Sequence, residues 1–116
     1  MDRINKRETG REYEQKAADF LRGRGYRIIK QNYYCHYGEV DIIAEESGYI
    51  IFIEVKYRKN GMSGSPEGAV NRIKRQHIRQ ASLDFLIKAY GTEEIPCRFD
   101  IVAFTGNQIH LIKDAF

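Results

Sequence analysis

Apolar residues set two different periods along the chain. Tyr13, Ala17, Phe20 and Leu21 recur at helical spacing and predict a helix with one apolar face, running through about Arg22. Thr9 and Glu12 form a T-x-x-E capping box that would open it, and Gly23 and Gly25 end it. "YRIIKQNYY" alternates weakly and reads as a strand. Residues 36–58, "HYGEVDIIAEESGYIIFIEVKYR", predict a hairpin with strands over 39–45 and 50–57, turning at Ser47-Gly48. "YRKNGMSGSP" lacks apolar periodicity and predicts a mobile loop. Ser65 and Pro66 supply an N-cap and first-turn proline for a long helix reaching about Tyr90. "CRFDIVAF" and "IHLIKDAF" predict two further strands, turning at "TGNQ". The order is α-β-β-β-α-β-β.

The hairpin carries charges inside runs that should be buried. A turn centred on Ser47-Gly48 opposes Glu45 to Ile50, Ile43 to Phe52, Asp41 to Glu54 and Glu39 to Lys56. Opposed residues bring their Cβ atoms within roughly 4.5–5.5 Å on one face. Alternation then places Asp41, Glu54 and Lys56 together, with Ile42, Ala44, Ile51, Ile53 and Val55 on the other face. Ile43, Ile50 and Phe52 extend the charged face towards the turn, so both faces are expected to be covered.

Two facing carboxylates repel, and in a partly buried place they need a cation or a shared proton. Mg²⁺ or Mn²⁺ meets that need, since both take hard oxygen ligands and accept one or two carboxylates plus waters and phosphate. Asp41 and Glu54 are therefore the expected metal ligands. Lys56 would position or deprotonate a water and stabilise charge on a phosphate. A plain cross-strand ion pair explains Glu39 and Lys56, but it leaves Asp41 facing Glu54 without a reason.

The helices add two residues. At about 100° per residue, Glu14 falls between Leu21 and Ala18, inside the apolar sector of the first helix. Lys74 falls among Val70, Ile78, Ala81 and Phe85 on the long helix. Arg72, Arg75 and Arg79 are expected on the opposite, outward side. An inward Glu and an inward Lys beside the charged face of a sheet predict a shared polar pocket.

Composition bounds the reading without choosing it. The chain has 116 residues and the mixed composition of a globular protein, enough for a single domain over residues 1–116. No apolar stretch nears the ~20 residues that span a bilayer, and the charged "MDRINKRETGRE" lacks a signal core. A cytoplasmic protein with no membrane partner is expected. Cys35 and Cys97 form no C-x-x-C, and the three histidines form no zinc cluster. The net charge of +3 is uneven: Val55 to Leu83 holds seven basic residues against Glu67 alone, so that stretch is +6 and the remainder −3. Such asymmetry points to an anionic partner, nucleic acid being the commonest, contacted by Arg58, Lys59, Arg72, Arg75 and Arg79.

The combination of G-E-V-D (Gly38–Asp41) and E-V-K-Y-R (Glu54–Arg58) resembles the catalytic core of the PD-(D/E)xK nucleases. From Gly10 to Phe116 the chain is similar to the YraN family of predicted bacterial endonucleases, relatives of archaeal Holliday-junction resolvases. The resemblance takes in Gly10, Glu14, the hairpin, "SPEGAV", Lys74 and "RFDIV". Val40 replaces the proline of the superfamily's name, and Tyr34 stands where family members often carry Arg. The resemblance implies that Asp41 and Glu54 bind the metal, that Lys56 serves the attacking water, and that Glu14 adds an acidic group beside it. It also implies that Lys74 is an accessory polar residue.

Together these readings predict an α/β, restriction-endonuclease-like fold with a central mixed sheet flanked by helices. The expected function is Mg²⁺- or Mn²⁺-dependent hydrolysis of DNA phosphodiesters, on branched or junction DNA among other substrates. The alternative is a catalytically weak nucleic-acid-binding module of the same fold. Leu83, Leu86 and Tyr90 on the outer side of the long helix would suit a homodimer contact.

Overall fold

The computed structural model describes residues 6–58 and 71–116, with side chains from Gly10 onward in the first helix. The elements run α1 (Lys6–Gly23), β1 (Arg27–Cys35), β2 (Gly38–Glu46), β3 (Tyr49–Arg58), α2 (Arg72–Tyr90), β4 (Cys97–Thr105) and β5 (Gln108–Ile112). The strands form one sheet in the order β1-β2-β3-β4-β5. All neighbours are antiparallel except β3 and β4, whose parallel pairing needs the crossover that contains α2. This is the predicted mixed α/β sheet with its predicted order of elements.

Each helix covers one face of the sheet. Ala17, Ala18 and Leu21 of α1 are fully buried with Ile42, Ala44, Ile51, Ile53 and Val102. Ile78, Ala81, Phe85 and Leu86 of α2 pack with Ile43, Ile50, Phe52 and Ile101. Period two in the strands thus sends successive residues into two different cores. No helix among the described residues is long and apolar enough to cross a membrane.

Several boundaries differ from expectation. α1 already runs at Lys6, so Thr9 lies within it and is not its cap. α2 starts at Arg72: Asn71 is extended (φ −75°, ψ 173°), and its side chain accepts the N–H of Lys74 at 2.9 Å. Lys59, Ser65, Pro66, the predicted loop from Lys59 onward and all of "SPEGAV" lie outside the described residues. Gly91 closes α2 in the left-handed conformation at φ 76°, its N–H bonding Ile87 O. β5 stops at Ile112 because the tail folds back: Ala115 N–H donates to Phe99 O at 2.7 Å and Asp114 N–H to Asp100 at 2.9 Å. Leu86 belongs to the core at 1% exposure, so the outer apolar side of α2 is Leu83, Ile87 and Tyr90.

Candidate active site

The hairpin turns as predicted, with Ser47 at φ 53° and Gly48 at φ 83°, the paired positive angles of a tight two-residue turn. Its register also matches from Glu46↔Tyr49 to Ile42↔Ile53. There the ladder stops, so Asp41 does not pair with Glu54, nor Glu39 with Lys56. Instead the backbone N–H of Val55 donates to Asp41 Oδ2 at 2.8 Å. A side chain has taken the place of the next ladder carbonyl.

The change of partner accompanies a change of face. Val40 and Ile43 pack in the same core although they lie three positions apart, while Ile42 and Ala44 pack in the other. β2 therefore switches faces between Val40 and Ile42, at Asp41. Glu39 is carried away from the predicted face with Lys56 and towards α1. Glu14, Glu39 and Asp41 now each offer a carboxylate oxygen within 4.8 Å of the others, a group that could hold a metal ion. Glu54 is not in that group.

Glu54 lies on the α2 side of Asp41 and is only 4% exposed. Both Lys56 Nζ, at 3.1 Å, and Lys74 Nζ, at 2.6 Å, engage its Oε2. Lys56 comes from the same strand two residues on, and Lys74 from the first turn of α2. Asp41 is thus flanked by two carboxylates on one side and by a lysine-bound carboxylate on the other.

The electrostatics differ across this line. Burial first, then the charge of Glu54, hold Asp41 well above the usual carboxylate range, against the hydrogen bond from Val55. Burial also raises Glu14, with Glu39 adding to the effect and a hydrogen bond from Asn32 opposing it. On the lysine side, burial lowers Lys56, and Lys74 lowers it further against the pull of Glu54. Lys74 is raised: burial opposes its charge, but the hydrogen bond and charge of Glu54 outweigh that. Of two lysines sharing one carboxylate, Lys56 is the readier to give up a proton.

Two clefts meet at Glu39. One, of about 380 Å³, is lined by Gly38, Glu39, Asp41, Glu54, Lys74 and His77 among others. Gly38, at φ +149°, would bring an added Cβ to 3.4 Å from His77 Cβ, so α2 lies close over the start of β2. The other cleft, of about 660 Å³, is lined by Gly10, Arg11, Glu14, Asn32, Tyr34 and Glu39. Tyr34 stands on its rim, 69% exposed.

The predicted site residues Glu14, Asp41, Glu54, Lys56 and Lys74 are brought together. The arginines are not one free outward stripe: the Arg75 guanidinium lies over the Phe116 ring at 5.7 Å and that of Arg79 over Phe99 at 5.2 Å. Long basic side chains lay their stems and planes on apolar surface while the charge reaches water. Arg72 is exposed at the start of α2, and Arg58, partly buried, ends β3. Strict alternation missed Glu39 and Asn32. An Asn inside a strand, where that residue is depleted, was the available signal of an irregularity.

The uncharacterised protein family UPF0102 matches this chain over residues 13–104. A UPF0102 protein of Lachnoclostridium phytofermentans is 42% identical over 113 residues, covering 97% of this chain and 96% of that protein. One from Syntrophus aciditrophicus is 44% identical over 112 residues, covering 93% and 87%. The UPF0102 protein YraN of Escherichia coli is 39% identical over 114 residues, covering 97% and 87%.

Proposed function

This chain belongs to the UPF0102 family, and we propose that it is a divalent-metal-dependent nuclease that hydrolyses phosphodiester bonds of DNA. The observation that carries the reading is the position of Asp41, between the Glu14–Glu39 pair and a Glu54 that binds two lysines. The donor set fits Mg²⁺ or Mn²⁺: it is all carboxylate oxygen, partly buried, and self-repelling without a cation. Asp41 would be the central ligand, with Glu14 and Glu39 from the α1 side and Glu54 from the α2 side. Bound there, the ion would polarise a phosphoryl oxygen and lower the pKa of a water.

The chain's own groups do the rest. Val55 N–H fixes one oxygen of Asp41 and so orients the other. Lys56, with its depressed pKa, takes the proton of the attacking water at Nζ. Lys74 keeps its charge beside Glu54 and offers it to the phosphate. A substrate phosphate gives Lys74 a second anion, which loosens its hold on Glu54 on the side of Asp41. Arg58 and Arg72, with Lys59 between them in sequence, supply backbone contacts that carry no sequence information.

The test is cleavage of labelled four-way, flap, single-stranded and duplex DNA with Mg²⁺ or Mn²⁺. Wild type should cut at least one of these, with Asp41→Asn and Lys56→Met slower by about 10²–10⁴-fold. Cleavage that survives Asp41→Asn unchanged would exclude this site. Tight binding of every substrate with no cleavage would leave the binding-module alternative.

A further inference from the structure

Asn32 lies inside β1 yet has φ +56°, the left-handed region that non-glycine residues seldom enter. Ser47 and Asp114, the other described non-glycine residues with positive φ, lie in turns. The neighbours of Asn32 keep the ladder: Gln31 pairs with Ile42 and Tyr33 with Val40. The residue facing Asn32 is therefore Asp41, and these two positions are where β1 and β2 both break pattern. Asn32 and Glu14 line the 660 Å³ cleft on the α1 side together.

Strained backbone persists where the surroundings hold it, and such positions cluster at functional sites. The consequence here is specific. A residue in β1 that leaves the extended conformation lets the facing strand switch faces, and that switch brings Glu39 and Asp41 to Glu14. Held beside two like charges, Glu14 would otherwise rotate away into solvent. A lysine could hold it, but would also neutralise it and compete with a cation, as Lys56 and Lys74 do at Glu54. A neutral amide donor fixes the carboxylate and leaves its charge available.

We propose that Asn32 is the positioning residue of the carboxylate group, its kinked backbone turning Asp41 and Glu39 towards α1 and its side-chain amide holding Glu14 against them. The inference rests on the reading of that group as a cation site, and the experiment separates the two. Asn32→Gly keeps the left-handed backbone and removes the amide, whereas Asn32→Ala removes the amide and strains the backbone. Mn²⁺ affinity is measured by calorimetry. In EDTA, urea midpoints are measured for Asn32→Gly, Glu14→Ala and the double variant, and for Asn32→Ala.

Residues that orient metal ligands typically contribute tenfold or more to metal affinity. Asn32→Gly should fold, bind Mn²⁺ about tenfold more weakly, and have less effect on the urea midpoint once Glu14 is absent. Asn32→Ala should have the lower midpoint of the two Asn32 variants. Equal Mn²⁺ affinity in wild type and Asn32→Gly would overturn the inference and leave the cation site standing. If wild type binds no Mn²⁺, the nuclease reading falls, and the EDTA cycle decides Asn32 alone. Additive midpoints there would overturn its hold on Glu14.

Discussion

Val55 donates its backbone N–H to Asp41 Oδ2 at 2.8 Å, at the point where β2 and β3 stop pairing. The bond links the metal-candidate carboxylate to the strand that carries Glu54 and Lys56. It also makes Asp41 structural as well as chemical, and the two roles respond differently to substitution.

Asp41→Asn keeps an acceptor for Val55 and removes the charge. Because burial and Glu54 raise Asp41, and burial raises Glu14, folding takes up protons. Their contribution to stability, measured in EDTA, should therefore be fully present below the unfolded carboxylate pKa, about 4, and be lost as pH rises through the raised folded values. At neutral pH Asp41→Asn should exceed wild type by on the order of 1 kcal/mol, moving Tm by roughly 4–8 °C. Mn²⁺ should raise Tm of wild type more at high pH than at low, since binding displaces protons. It should raise Asp41→Asn little. Equal Mn²⁺ shifts in both proteins, by scanning calorimetry, would remove the ion from Asp41.

Lys74→Met tests the division of labour at Glu54. Glu54 keeps Lys56, and Lys74 is half exposed, so the loss of stability should stay within about 1–2 kcal/mol. The charge of Lys74 lowers Lys56, so its removal should raise the Lys56 pKa. The midpoint of the ascending, acid-side limb of kcat/KM against pH should then move to higher pH, with the rate at neutral pH reduced. An unmoved midpoint with full activity would make Lys74 only a tolerated charge at the edge of the core.

Much of the fold and the site is legible in the sequence. Ser47-Gly48 favours a two-residue turn, which fixes the register from Glu46 to Ile42, and the helical period alone puts Glu14 against the sheet. Alternation does not continue through Asp41, where the β2–β3 ladder has ended. Face-switching depends on the conformation of Asn32 in another strand, which no period within β2 encodes. Ser65, the predicted cap of the long helix, lies outside the described residues, and Asn71 is an equally good cap residue. The described helix uses Asn71, whose side chain accepts the N–H of Lys74.

"RFDIV", part of the family resemblance, also builds a clamp around Asp100. Asp100 is 0% exposed; it accepts Tyr26 Oη at 2.8 Å, two Arg98 nitrogens at 2.9 Å each, and Asp114 N–H at 2.9 Å. Arg98 also reaches Glu46 at 3.2 Å. Asp100→Ala leaves a buried guanidinium and hydroxyl without their acceptor and should cost about 3–5 kcal/mol. Tyr26→Phe should cost about 1 kcal/mol. Urea unfolding checks both, and Tyr26→Phe should cleave DNA at the wild-type rate when folded.

The basic residues should bind DNA through phosphates, with affinity falling as salt rises by roughly −0.9 in log–log slope per phosphate neutralised. The structure ranks their contributions. Arg72 is exposed at the start of α2 next to the Lys74 cleft, whereas Arg75 and Arg79 lie over Phe116 and Phe99. Arg72→Ala should therefore weaken all sequences alike and make the slope shallower by about one phosphate's worth. Arg75→Ala with Arg79→Ala should lower stability as well, because two ring contacts, each about 0.5–1 kcal/mol at an exposed site, are lost. Leu83, Ile87 and Tyr90 continue along the exposed side of α2 at 43%, 50% and 44%, so sedimentation belongs beside the salt titration. Unchanged affinity and slope in all three arginine variants, with a shift from dimer to monomer, would reassign this helix from DNA to a second copy of the chain.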